Sequence, residues 1–256
     1  MPYIETDSSF HMYYTSSGAG MPIVFIHPPH MGHHVFKYQD SLSNQFRVIT
    51  YDIRGHGNSG KNEESPTIPQ FANDLQLLLD HLGIEQAVIV GYSAGSSIAQ
   101  EFALNCPGRI KALVLSGGFP EVSTFLLRMQ YYIGLALLKS GNNKFLCKHL
   151  AKSHQVQEKD RTLLYEECIK ADIQTALSYY ENSMKYNCTN LLNLMDFPVL
   201  TLYGQFSHIR PYLKIYQQHL PHVKSVLISR AFHQLPIRSY SSFNHALSTF
   251  IHEMKI

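Results

Sequence analysis

Short apolar runs alternate with segments of helical period along most of this chain. Ile23-Val24-Phe25-Ile26, Arg47–Tyr51, Ala87–Val90, Ala112–Leu115, Val199–Tyr203 and Val226–Ser229 read as buried strands. The amino terminus reads as a β-hairpin that ends at Ser17-Gly18-Ala19-Gly20. Residues 35–44 read as a helix. Thr67-Ile68-Pro69-Gln70 opens another with a capping box and a first-turn proline, and Gly83 closes it. Strands that alternate with helices predict an α/β fold, with a mostly parallel eight-stranded sheet flanked by helices.

Between Gly118 and about Thr189 the strand pattern stops. Phe125, Met129, Ile133 and Leu137 recur every four residues, and Ile173, Leu177, Tyr180 and Met184 every three or four. These are apolar helix faces. A plain crossover seldom needs some seventy residues. The expected organisation is therefore a core of residues 1–118 and 190–256 with a helical cap, 119–189, inserted after the sixth strand.

Composition narrows the field. At 256 residues, 45% hydrophobic and 16% charged, the chain can bury a sizeable core. The formal net charge is +2 and no basic block occurs, so nucleic acid is not an expected partner. MPYIETDSSF has neither the charged nor the apolar region of a secretory leader, and no apolar run reaches membrane-spanning length. Cys106, Cys147, Cys168 and Cys188 are widely spaced, as in a protein with reduced thiols. These features together predict a cytoplasmic protein.

The chemistry concentrates at Gly91-Tyr92-Ser93-Ala94-Gly95, a G-x-S-x-G sequence between a strand and a helix. The chain must turn sharply there, which exposes the Ser93 hydroxyl at the carboxyl end of the sheet. The helix amino terminus behind it favours developing negative charge. A serine hydroxyl attacks only when a base takes its proton. His233, after the last strand and before the closing helix, is the candidate base. His56 is expected to shape its own loop, and His208, His219 and His222 are expected to be solvated.

With Phe25-Ile26-His27-Pro28, Tyr51-Asp52-Ile53-Arg54-Gly55-His56-Gly57-Asn58-Ser59, the Ser93 motif, Phe197–Gly204 and Phe243-Asn244-x-x-Leu247-x-x-Phe250 in that order, the chain resembles the α/β-hydrolase family. The resemblance implies a serine-hydrolase-like site under a cap, with no cofactor and no metal. It implies cleavage of a small, fairly apolar ester or related acyl compound. Family epoxide hydrolases and haloalkane dehalogenases carry aspartate in place of this serine. The other reading is a binding or signalling protein on the same fold, with weak or no turnover. His30, His33 and His34 could suggest zinc, but the same stretch is needed as the oxyanion loop.

Two departures from the family pattern stand out. One oxyanion donor is expected at the Ala94 N–H. The other should come from His27-Pro28-Pro29-His30, but Pro29 has no N–H, so either a shifted loop leaves the task to His30 or one donor is absent. The second departure concerns the triad acid. The family frame Gly-x-x-Asp-x-x-x-Pro reads here Gly204-Gln205-Phe206-Ser207-His208-Ile209-Arg210-Pro211. Ser207 occupies the acid's place, and Glu121, after the sixth strand, is the alternative acid. Asp196 precedes its strand and so lies at the far end of the sheet.

Overall fold

The computed structural model describes residues 3–5, 10–61 and 65–254. Residues 1–2 and 6–9, on which part of the leader and hairpin readings rests, lie outside the described residues. The strands are β1 (Tyr3–Glu5), β2 (His11–Ser17), β3 (Pro22–Ile26), β4 (Arg47–Tyr51), β5 (Ala87–Tyr92), β6 (Ile110–Ser116), β7 (Val199–Gly204) and β8 (Val223–Ile228). They form one eight-stranded sheet in the order β1-β2-β4-β3-β5-β6-β7-β8. β1 pairs with β2, and β2 with β4, antiparallel; every other pairing is parallel.

The central strands read as continuous apolar runs because both faces of the sheet are covered. Side chains alternate between faces along each strand. Val24, Ile26, Ile89 and Leu113 pack against α1 (Ile68–His81) and α2 (Gly95–Asn105). Ile23, Phe25, Val88, Val90 and Leu200 pack on the opposite face, with Phe36 and with Phe243 and Leu247 of the closing helix. The capping box of α1 is present: Gln70 N–H donates to Thr67 Oγ1, and Thr67 N–H donates to Gln70 Oε1 at 2.8 Å.

Three readings shift in detail. The helix expected over 35–44 is a 3-10 segment, His33–Asn44. β8 begins at Val223, three residues before the apolar run that marks it, because this edge strand is only half covered. The third difference is in α3 (Phe125–Lys139), where the four-residue stripe is not the buried face. Phe125, Met129 and Ile133 are 74%, 39% and 56% exposed, while Leu127, Tyr131, Leu135 and Leu138 are buried.

α3, α4 (Asn143–His154), α5 (Glu158–Cys168) and α6 (Ile173–Lys185) lie between β6 and β7 in sequence, where the strand pattern stops. α7 (Tyr212–His219), α8 (Leu235–Arg238) and α9 (Tyr240–Glu253) follow β7 and β8. No helix among the described residues is long and apolar enough to cross a membrane.

Candidate active site

Ser93 stands at the turn from β5 into α2 with φ of 53°. That conformation is uncommon outside glycine and marks a strained position. The surrounding backbone holds it: Ser93 N–H donates to Ser116 O at 2.9 Å, and Ser96 N–H to Ser93 O at 2.9 Å. Gly95 allows the close approach of α2 to β3, since a Cβ there would lie 2.4 Å from Ile26 O.

His233 reaches this serine from the loop after β8. That loop crosses the end of β7 so closely that a Cβ on Gly204 would lie 2.0 Å from Phe232 O. Phe206 N–H donates to Ala231 O at 2.9 Å and fastens the crossing. His233 Nε2 comes to 2.9 Å from Ser93 Oγ, across 140 residues of sequence. Burial first, and then His208 and His154 nearby, push the imidazole down to about 3. His233 Nδ1 is buried and has no hydrogen-bond partner among the described residues.

Neither acid candidate meets that nitrogen. Ser207 is buried at a turn in which its N–H donates to Gly204 O at 3.0 Å, and its Oγ also has no hydrogen-bond partner among the described residues. Glu121 accepts from Asn187 Nδ2 at 3.1 Å and from Thr189 Oγ1 at 2.9 Å, which ties the start of the helical insertion to its end. Asp196 is exposed and bonded to His222 Nε2 at 2.9 Å, away from the site.

His208 is not the solvated residue expected. Its ring packs edge-on to His233, with centroids 5.6 Å apart, and burial lowers its pKa. Its Nε2 is buried and unpartnered among the described residues. His154, which the sequence did not single out, accepts or donates at 2.9 Å with Tyr92 O–H, and the Tyr92 ring packs against His233. The one sequence clue to His208 is its place directly after Ser207 in the Gly204–Pro211 frame. His56 shapes its loop as expected, with Nδ1 3.0 Å from Arg54 O.

The loop expected to bind the oxyanion is a turn closed by Met31 N–H donating to Pro28 O at 3.3 Å. Pro29 takes the second position, and His30, with φ of 67°, takes the third. Proline followed by positive φ is the type II combination. No hydrogen bond within the chain uses the His30 N–H or the Ala94 N–H, among the described residues. The His30 ring turns away, its Nε2 hydrogen-bonded to Asn143 Oδ1.

Above Ser93 and His233 lies a cavity of about 690 Å³. Its far wall is apolar, with Leu126, Met129 and Ile133 from α3 and Phe145 from α4. Met129, Ile133 and Leu137 of the α3 stripe therefore face the cavity, and Phe125 does not line it.

The profile of the α/β hydrolase fold matches residues 22–143. An esterase from Exiguobacterium antarcticum superposes with a TM-score of 0.88 at 16% identity, covering 98% of each chain. The chain has the α/β-hydrolase fold. Among curated relatives, a putative carbamate hydrolase RutD from Azorhizobium caulinodans is 31% identical over 147 residues, 57% of this chain and 55% of that protein. A non-heme haloperoxidase from Rhodococcus erythropolis is 31% identical over 125 residues, 48% and 46% of the two chains. The chain thus spans about half the length of these curated relatives.

Within this fold the three loop histidines part company. His30 turns to α4, while His33 and His34 turn to α5 and converge on Glu167. His33 Nδ1 lies 2.9 Å from Asp52 Oδ1 and 3.5 Å from Glu167 Oε1. His34 Nδ1 is hydrogen-bonded to Glu167 Oε2. His33, His34 and Glu167 are the group among the described residues that could hold a metal ion.

Proposed function

We propose that this protein is a serine hydrolase that cleaves a small, fairly apolar ester or related acyl compound through an acyl-enzyme on Ser93. The observation that carries this reading is the 2.9 Å contact of His233 Nε2 with Ser93 Oγ at the floor of an apolar cavity. His233 takes the serine proton as the oxygen attacks the carbonyl carbon. It then returns that proton to the leaving alcohol, and water repeats the cycle to release the acid. Ala94 N–H, with the α2 amino terminus behind it, and His30 N–H receive the oxyanion. Helices α3–α6 act as a cap that sets substrate choice. The esterase neighbour supports the fold for this chemistry, and the putative carbamate hydrolase extends the acyl class to consider.

A fluorophosphonate probe tests the reading, because it needs only an activated serine. Wild-type protein should label at Ser93. Ser93→Ala should abolish labelling, and His233→Ala should slow it at least a hundredfold. Folded wild type that stays unlabelled after prolonged exposure sinks the hydrolase reading. That result would favour the second reading, a binding or signalling role on this fold, which the partnerless His233 Nδ1 supports.

A further inference from the structure

We propose that His33, His34, Glu167 and Asp52 form a binding site for one divalent transition-metal ion, with zinc the best fit. None of the four lines the cavity above Ser93, so the site is separate from the hydrolytic one. His33, His34 and Glu167 each offer a donor atom within 4.8 Å of the others, and both Nδ1 atoms face the Glu167 carboxylate. Asp52 Oδ1, 2.9 Å from His33 Nδ1, supplies a fourth. Zinc bonds to nitrogen and oxygen of about 2.0–2.2 Å place tetrahedral donors roughly 3.3–3.6 Å apart. The observed 2.9 Å and 3.5 Å separations lie near that range, and the other donors, all within 4.8 Å, reach it by side-chain movements of up to about an ångström. Two imidazoles and two carboxylates make a donor set that zinc accepts.

Two further observations point to a cation. Glu167 is 2% exposed, and its Oε1, directed at His33 Nδ1, has no hydrogen-bond partner among the described residues. Asp52 is fully buried as well, and the ion pairs of both carboxylates go only to histidines, among the described residues. Lys170, on the same stretch as Glu167, donates instead to Asn58 Oδ1. Two carboxylates taken out of water need compensating charge. One divalent ion supplies it for both, using the Nδ1 lone pairs while each ring keeps its proton on Nε2.

The site is built closely and is open at one end. A Cβ on Gly32 would lie 2.5 Å from Glu167 Cγ and 2.9 Å from Asp52 Oδ1. The His34 side chain is 31% exposed and gives the ion its way in. Asp52 follows β4, His33 and His34 open the 3-10 segment after the oxyanion turn, and Glu167 ends α5. A bound ion would therefore fasten the helical insertion to the sheet, beside the turn that presents His30.

The test uses the whole chain, stripped with a chelator and titrated with Co(II) and then Zn(II). One equivalent of Co(II) should give the visible absorption of a four-coordinate site, and Zn(II) should displace it. Glu167→Gln and His34→Ala should each weaken Zn(II) binding at least tenfold and remove the band. His222→Ala, in an exposed pair with Asp196, should leave both unchanged. If His34→Ala does not fold, the near-isosteric Glu167→Gln carries the comparison. Folded wild type without a Co(II) band, or a band that survives in Glu167→Gln, overturns the proposal. Fluorophosphonate labelling of Ser93 reads the hydrolytic site independently, so the two readings fail separately.

Discussion

The His233 imidazole meets a hydroxyl on one nitrogen, and its other nitrogen has no partner among the described residues. A base held down to about 3 by burial takes a proton reluctantly at neutral pH. In proteases, loss of the equivalent carboxylate's role costs about 10⁴ in rate. Ser207→Asp should therefore raise turnover of an activated ester by one to several orders of magnitude, within that ceiling. It should also move the acid limb of kcat/KM. The base works only when neutral, so the wild-type rate should fall only as pH approaches about 3. An anion beside the ring raises its pKa, so the limb of the variant should lie at higher pH. Glu121→Gln should change turnover less than twofold, because its carboxylate is engaged with Asn187 and Thr189. A crippled Glu121→Gln beside a neutral Ser207→Asp would reverse the assignment. Ser93 and His233 were legible in the sequence because a local motif and a position after the last strand mark them. The edge-on contact of His208 was not, because it depends on how a loop aims a ring.

α3 shows what periodicity can and cannot say about an element. Its stripe of Phe125, Met129, Ile133 and Leu137 marks a helix. The same spacing serves a buried face or a cavity wall, and only packing tells them apart. Here Met129 and Ile133 line the cavity, whereas Phe125 stands outside it, although all three share the stripe. Met129→Trp should shift preference among p-nitrophenyl esters toward shorter acyl chains, by about tenfold in relative kcat/KM, with Tm moved by only a few degrees. One methylene in a pocket is worth about 1–3 kcal/mol, enough for that shift. Phe125→Ala should leave the profile unchanged. An unaltered profile in Met129→Trp would count against an insertion that forms the pocket. Strand edges were the other blurred element, since β8 shows an apolar run only where one side is covered.

The mostly parallel sheet flanked by helices was legible from alternating strands and helices, whereas the order that sets β4 between β2 and β3 was not. The burial of so many histidines was not. His27, His56, His154 and His233 are all buried with lowered pKa values, burial being the main cause; His56 falls to about 3 and His154 to about 4. Below an ordinary value near 6.5 the unfolded chain binds protons that these folded residues refuse. Stability is therefore highest above that value and is lost as pH falls toward the folded values. Each such group costs about 1.4 kcal/mol per pH unit across its window. His33, raised through its bond to Asp52 against the pull of burial, acts in the opposite sense. Thermal melts should show Tm dropping steadily from pH 6.5 to 4.5. A flat Tm over that range would show that these rings are hydrated or protonated in the fold.

The contact between Ser93 and His233 spans 140 residues, and that separation has a consequence in time. At about 5–20 residues per second, a ribosome needs roughly 7–28 s to travel from one codon to the other. Throughout that interval the nascent chain carries its serine without the proposed base. Chains arrested before codon 233 should ignore the fluorophosphonate, and chains released at full length should take it up. Under the proposed function, the growing polypeptide is thus kept from acylating itself on esters until its last strand and the loop after it have been made.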